Sequence, residues 1–188
     1  MYSCPTKLLD RKTLNDLETV EQLLAWSDII YIGGGNTKEM IDLWKKTGFD
    51  KQLTSIKDEK VLSGISAGGN CYFSYSISNY LQMELNDPNA PFKELAGLSL
   101  VDLVFNTHAN CTGRLASMES VLKTLPQPGI SISNNVAIEI IDDEYRLIKA
   151  TPSESQEIIA ILGYWKDDVY YTEEIPERGK VKQLPTKK

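Results

Sequence analysis

At 188 residues, 41% of them hydrophobic and 24% charged, the chain is long enough for one domain with a substantial core and short for two. A formal net charge of −6 with no basic stripe excludes the phosphate-neutralising surface that non-specific nucleic-acid binding needs, and no apolar run approaches the roughly 20 residues of a membrane span. The start Met1-Tyr2-Ser3-Cys4-Pro5 reads without a secretory leader. Cys4, Cys71 and Cys111 form no CxxC pair, which suggests reduced thiols in a cytoplasmic protein and neither a disulfide framework nor a zinc knuckle.

Leu14, Leu17, Val20, Leu23 and Leu24 recur at helical spacing between Thr13 and Ala25. The apolar run Asp28-Ile29-Ile30-Tyr31-Ile32 then stops at three glycines, as a buried parallel strand does. Asn36 or Thr37 can cap the next helix, which carries Met40, Ile41, Leu43 and Trp44 on one face and ends near Gly48. A further amphipathic stretch with Leu53 and Ile56 leads to Val61-Leu62-Ser63-Gly64, a second buried strand that runs into a small-residue turn and a helix. Repeated strand, turn and helix units predict a parallel sheet with helices on its faces.

Asn86 to Pro91 is turn chemistry and reads as a surface loop, and Leu100 to Phe105 reads as a strand delivering Asn106-Thr107-His108 to its C-terminal end. Leu115, Met118, Val121 and Leu122 predict a helix closed by Pro126 and Pro128. Beyond Gly129 two hairpins are expected, Val136 to Ile141 with Tyr145 to Ala150, and Ile158 to Leu162 with Val169 to Tyr171, extending the sheet edge. No composition shift or repeat marks a boundary, so 1–188 reads as one domain, with about 176–188, including Lys180, Lys182, Lys187 and Lys188, as a solvated polar tail.

Gly64-Ile65-Ser66-Ala67-Gly68 satisfies the G-x-S-x-G pattern of a nucleophile elbow. The requirement is steric: a strand turning abruptly into a helix needs small neighbours, and the serine is held exposed in a strained conformation. The following helix places the Ala67 N–H and its positive end where an oxyanion would form. A serine needs a base to take its proton, and His108 is the one histidine in the chain. In a parallel sheet the C-terminal strand ends share an edge, so Ser66 and His108 can meet. Gly33-Gly34-Gly35-Asn36-Thr37 lacks the Lys-Ser/Thr of a P-loop and the spacing of a Rossmann fingerprint. Its amides, Gly35 foremost, can supply a second oxyanion donor, or the glycines can serve only a tight turn.

With these pieces in order, the sequence resembles the peptidase E and cyanophycinase family of serine peptidases. The matching stretches are Asp28 to Thr37 (DIIYIGGGNT), Gly64 to Phe73 (GISAGGNCYF) and Asn106 to His108 (NTH), and the similarity runs from about Leu17 to Ala150. The resemblance implies a three-layer α/β/α fold with a mainly parallel sheet, akin to class I glutamine amidotransferases. It also implies hydrolysis of short peptides by a dipeptidase or exopeptidase without a cofactor. Ser66 would be the nucleophile, His108 the general base, and Gly35 and Ala67 the oxyanion donors.

Family members carry an acidic residue downstream of the nucleophile to orient the histidine, and here the matching position is Asn79, with Glu84 as the acidic alternative. Asp102, within the predicted strand, reads as structural. Aspartyl dipeptidases of the family select an acidic N-terminal residue, so Arg114 or Lys93 is expected beside the site, together with Asn36. The chain is short by several N-terminal elements of the family, which would expose sheet edges that a homodimer could cover. An altogether different reading is a non-catalytic homologue kept as a binding or scaffold module. A glutaminase would need cysteine at the elbow, and Cys71 comes five residues too late.

Overall fold

The computed structural model describes residues 4–150 and 158–187, so the first three residues read for a leader and Lys188 of the expected tail lie outside the described residues. Helix α1, Leu17–Trp26, begins where the Asp16 side chain accepts from Thr19 N–H, and buries Val20 and Leu24. Strand β1, Ile29–Ile32, pairs in parallel with β2, Val61–Gly64. Between them run α2, Thr37–Thr47, and α3, Phe49–Ser55, with Gly48 in the left-handed region at φ 80° joining the two. Trp44 and Phe49 meet edge to face across that joint, with ring centroids 5.4 Å apart.

The chain departs from the expected pattern just after the elbow. Helix α4 lasts only Ala67–Asn70 before the chain enters β3, Phe73–Ser78. The run Phe-Ser-Tyr-Ser-Ile-Ser alternates with the period of a strand, and a helical reading would mix its apolar and polar halves on one face. An irregularity between Phe73 and Tyr75 lets Phe73 stack on Phe105, centroids 4.1 Å apart, while Tyr75 and Ile77 turn to the opposite layer.

A short helix α5, Tyr80–Leu85, precedes β4, Lys93–Ala96, and β5, Val101–Asn106. Helix α6, Ser117–Leu122, leads to β6, Gly129–Ile132. The hairpin β7, Val136–Ile141, with β8, Glu144–Lys149, is followed by β9, Ala160–Lys166, β10, Val169–Glu174, and β11, Arg178–Lys180. The main sheet has the order β10-β9-β6-β5-β3-β4. Its middle strands β3, β5 and β6 are parallel, and its outer pairings are antiparallel.

Consecutive residues of β5 show that this sheet is covered on both faces: Phe105 joins one apolar cluster with Phe73, Ile130 and Leu162, and Val104 joins the other with Ile77, Met118 and Leu122. No helix among the described residues is long and apolar enough to cross a membrane.

Of the two expected hairpins only β9–β10 extends the main sheet. The β7–β8 hairpin forms a separate three-stranded sheet with β11, because alternate burial along β8 turns Tyr145 and Leu147 into the first cluster. The tail expectation is also corrected. Arg178–Lys180 pairs with β8, and Val181 and Leu184 pack on the core, so the chain stays ordered against the body well past 176.

Candidate active site

The elbow is built by close backbone approach. A Cβ at Gly64 would overlap the Gly68 carbonyl, and one at Gly68 would overlap the Ile32 carbonyl at the end of β1. Both glycines of the pentapeptide are therefore demanded by the packing of α4 against β1 and β2. Between them Ser66 is held at φ 54° and ψ −116°, a conformation that costs a non-glycine residue about 1–3 kcal/mol and persists only where the surroundings enforce it. The glycine turn after β1 abuts this serine: a Cβ at Gly34 would lie 3.5 Å from Ser66 Cβ. Gly35 adopts φ 147°, which side chains rarely tolerate. Among the described residues no backbone partner takes the Ala67 N–H, at the start of α4.

His108 follows β5, with φ 60°, and its ring spans two polar neighbours. Nε2 lies 2.9 Å from Ser66 Oγ, and Nδ1 lies 2.7 Å from Asn134 Oδ1. A carboxamide oxygen on Nδ1 requires that nitrogen to donate, which leaves Nε2 of the neutral ring as an acceptor for the serine hydroxyl. Asn134 comes two residues after β6, and its N–H donates to Asn110 Oδ1 at 3.0 Å. The buried Asn106 donates to the Arg114 carbonyl and to Ser131 Oγ, tying the His108 loop to the ends of β5 and β6.

The two residues expected to orient His108 lie elsewhere. Asn79 Oδ1 accepts from Arg114 Nη2 at 3.1 Å, and Glu84 Oε1 pairs with Lys38 Nζ at 3.6 Å. Both sit beyond β3, on the far side of β5 from β6, whereas the imidazole turns toward β6. The signal that would have found Asn134 is the short run Gly129–Ile132, which as a third parallel strand delivers Ser133-Asn134-Asn135 to the same edge as His108. Asp102 is structural as read, accepting from Ser74 and Gln127.

Arg114 is buried. Nη1 donates to the Ile77 carbonyl at 2.7 Å, the guanidinium lies 4.8 Å from the Phe92 ring centre, and burial lowers its pKa. No acidic side chain among the described residues pairs with it. Lys93 is exposed at the start of β4. The Asn36 carboxamide is engaged as the cap of α2, accepting from Lys38 and Glu39 N–H and donating to the Glu39 carboxylate. Cys71 closes α4 and is fully buried, donating to the Gly68 carbonyl, and burial drives its thiol pKa far up. This arrangement can activate a hydroxyl and receive an oxyanion. Among the described residues no cluster of His, Cys, Asp and Glu could hold a metal ion.

The model of peptidase family S51 matches residues 4–148. The uncharacterized peptidase YgaJ of Bacillus subtilis (strain 168) is 29% identical over 120 residues, covering 62% of this chain and 49% of YgaJ. The chain thus spans about half the length of that curated relative. The 1.5 Å crystal structure of a candidate peptidase E protein from Listeria monocytogenes EGD-e superposes with a TM-score of 0.56 at 26% identity, over 72% of this chain and 66% of that one. It supports a mixed α/β fold of the class I glutamine amidotransferase type for this chain. On the extent of the family match, the chain belongs to peptidase family S51.

Proposed function

We propose that the chain is a serine-type peptidase that hydrolyses short peptides. The observation that carries the reading is the 2.9 Å contact between His108 Nε2 and Ser66 Oγ at a strained strand-to-helix turn. Ser66 Oγ attacks the scissile carbonyl carbon as its proton passes to His108 Nε2. The oxyanion is received by the N–H groups of Ala67 and Gly35. As the C–N bond breaks, His108 returns the proton to the leaving amine. A water activated by the same imidazole then hydrolyses the acyl-enzyme, and no cofactor enters the cycle. Asn134 keeps the ring in the tautomer this requires.

Arg114, a buried cation without an acidic partner among the described residues, supplies charge for an anionic group of the substrate, in line with a dipeptidase or exopeptidase acting at acidic residues. Asn36 contributes by capping the helix behind the glycine turn. The test is labelling by a fluorophosphonate together with turnover of short peptides. Both are expected for the wild-type chain and absent from Ser66→Ala, and undiminished turnover in that variant would overturn the assignment.

One observation favours a second reading, a binding module without catalysis. The residue on His108 Nδ1 is a neutral asparagine, which cannot stabilise an imidazolium by charge. Robust turnover that disappears in His108→Ala rules it out.

A further inference from the structure

Among the described residues β1 and β2 pair only with each other, although parallel strands are ordinarily covered on both faces and a two-stranded ribbon is marginal alone. Ile30, Ile32 and Leu62 pack on the core. The opposite face is bare, with Ile29 58%, Tyr31 63%, Val61 59% and Ile65 55% exposed. The backbone of β1 is open as well. Val61 N–H donates to the Asp28 carbonyl and Ile65 N–H to the Ile32 carbonyl, so the peptide groups of Ile30 and Ile32 turn to β2. Those of Ile29 and Tyr31 therefore point to the outer side, where no strand lies among the described residues. The turn that follows leaves the edge uncovered too, since a Cβ at Gly33 or Gly35 would meet no atom within 4 Å. β2, by contrast, has Tyr72 and α4 against it: the Tyr72 hydroxyl donates to the Ser63 carbonyl at 2.9 Å, and Gly64 abuts Gly68. The edge strands of the other two sheets all carry charge, Glu94 in β4, Glu174 in β10, Glu139 in β7 and Lys180 in β11. Charges of this kind discourage pairing between edges. β1 has none.

We propose that the outer edge of β1 is a homodimer interface, at which a second copy of this chain adds its own β1 antiparallel across a two-fold axis. The inference goes beyond the serine-peptidase reading and does not depend on it. A two-fold axis normal to the sheet brings two identical edges together antiparallel and keeps each side chain on its own face. With the axis beside Ile30, Ile29 stands opposite the partner's Tyr31, and Tyr31 opposite the partner's Ile29. Each pair exchanges both of its N–H···O bonds, so the outward peptide groups of Ile29 and Tyr31 are all satisfied. Each pair also sets a β-branched side chain beside an aromatic one on the bare face, a favourable cross-strand combination. Val61 and Ser63, which neighbour Ile29 and Tyr31 on that face, continue the strip outward in both copies. The edge is thus complementary to itself, and this is the reason a second copy is the occupant. A strip this short falls at the small end of interfaces, below about 1,200 Å², and the formal charge of −6 on each copy opposes association. The dimer is therefore weak and reversible.

The experiment is sedentation of the full chain by analytical ultracentrifugation from about 1 to 500 µM, with residue-resolved amide exchange at both ends of that range. The wild-type chain is expected to pass from monomer to dimer with a micromolar Kd. As it does, exchange of the Ile29 and Tyr31 amides should slow by about fivefold or more, because only edge pairing covers them. Tyr31→Lys and Ile29→Lys each place a charge on the edge, at positions that face water in the monomer, and each should raise Kd by about tenfold or more. Circular dichroism checks that both variants are folded, and the wild-type exchange measurement decides the matter even if one is not. A chain that stays monomeric at the highest concentration overturns the proposal. So does a dimer in which the Ile29 and Tyr31 amides exchange as fast as in the monomer, since its copies then meet elsewhere. Growth into species larger than a dimer overturns the two-fold pairing.

Discussion

His108 Nδ1 meets the side-chain oxygen of Asn134 at 2.7 Å, so the group that orients the imidazole is neutral and comes from the turn that follows β6. This relationship sets both the direction of the proposed proton transfer and its ceiling. An amide oxygen selects the useful tautomer but offers no charge to the imidazolium formed when Ser66 loses its proton.

Replacing that amide by a carboxylate should improve the proposed enzyme. Asn134→Asp keeps the acceptor in place and adds a charge, and kcat is expected to rise by about tenfold or more. Asn134→Ala removes the acceptor, and kcat should fall by about tenfold or more with little change in KM. Steady-state kinetics of both variants decide the point. A dead Asp variant and an unaffected Ala variant would show that Asn134 does not act through His108.

The strain at Ser66 predicts a trade of activity for stability. Glycine accepts φ 54° freely, so Ser66→Gly releases about 1–3 kcal/mol of backbone strain and loses roughly 0.5–1 kcal/mol to unfolded-chain entropy. A net gain of about 1 kcal/mol would lift Tm by about 2–4 °C for a chain of this size. Ser66→Ala keeps the Cβ and should show no such gain. Thermal melts of the two inactive variants, run side by side, make the comparison.

Arg114 should matter unequally to different substrates. Arg114→Met preserves apolar packing against Phe92 but removes the buried charge. The kcat/KM for a dipeptide with an acidic N-terminal residue is expected to drop about thirtyfold or more, the range for losing one partner of a buried charge pair. A neutral dipeptide should lose far less. Equal losses for both would mark Arg114 as a support for its own loop and for Asn79, with no part in recognition.

The thiols should separate by burial. Cys4 and Cys111 are exposed, whereas Cys71 is buried beneath the elbow with its thiol pKa raised by desolvation. The thiolate is the reactive form. Iodoacetamide at neutral pH should therefore modify Cys4 and Cys111 in the folded protein and reach Cys71 only after denaturation. Intact-protein mass spectrometry reads this directly, and rapid alkylation of Cys71 would contradict the packing of α4 against β1 and β2.

Much of this was legible one-dimensionally because its causes are local. The G-x-S-x-G pentapeptide reports a close approach between Gly64, Gly68 and the end of β1, and that approach is present. Asn36 caps α2 for reasons its own side chain supplies. The helix expected after the elbow is present as the brief α4, but the strand Phe73 to Ser78 that follows was not among the expected elements, although its residues alternate. The polar tail misled in a similar way: its charges face water, but its backbone completes a sheet edge on β8 and two apolar residues reach the core.

By itself, then, the sequence determined the parallel α/β character, the elbow with its serine, and the one imidazole available to it, because glycine sterics and residue type act over a few positions. Only the tertiary structure decided which oxygen faces that imidazole. Asn79, Glu84 and Asn134 are alike in the one-dimensional record as polar residues downstream of the elbow, and strand order alone puts β6, with Asn134, beside β5 on the side to which His108 turns. The same order carries Asn79 and Glu84 to the opposite side, where they meet Arg114 and Lys38.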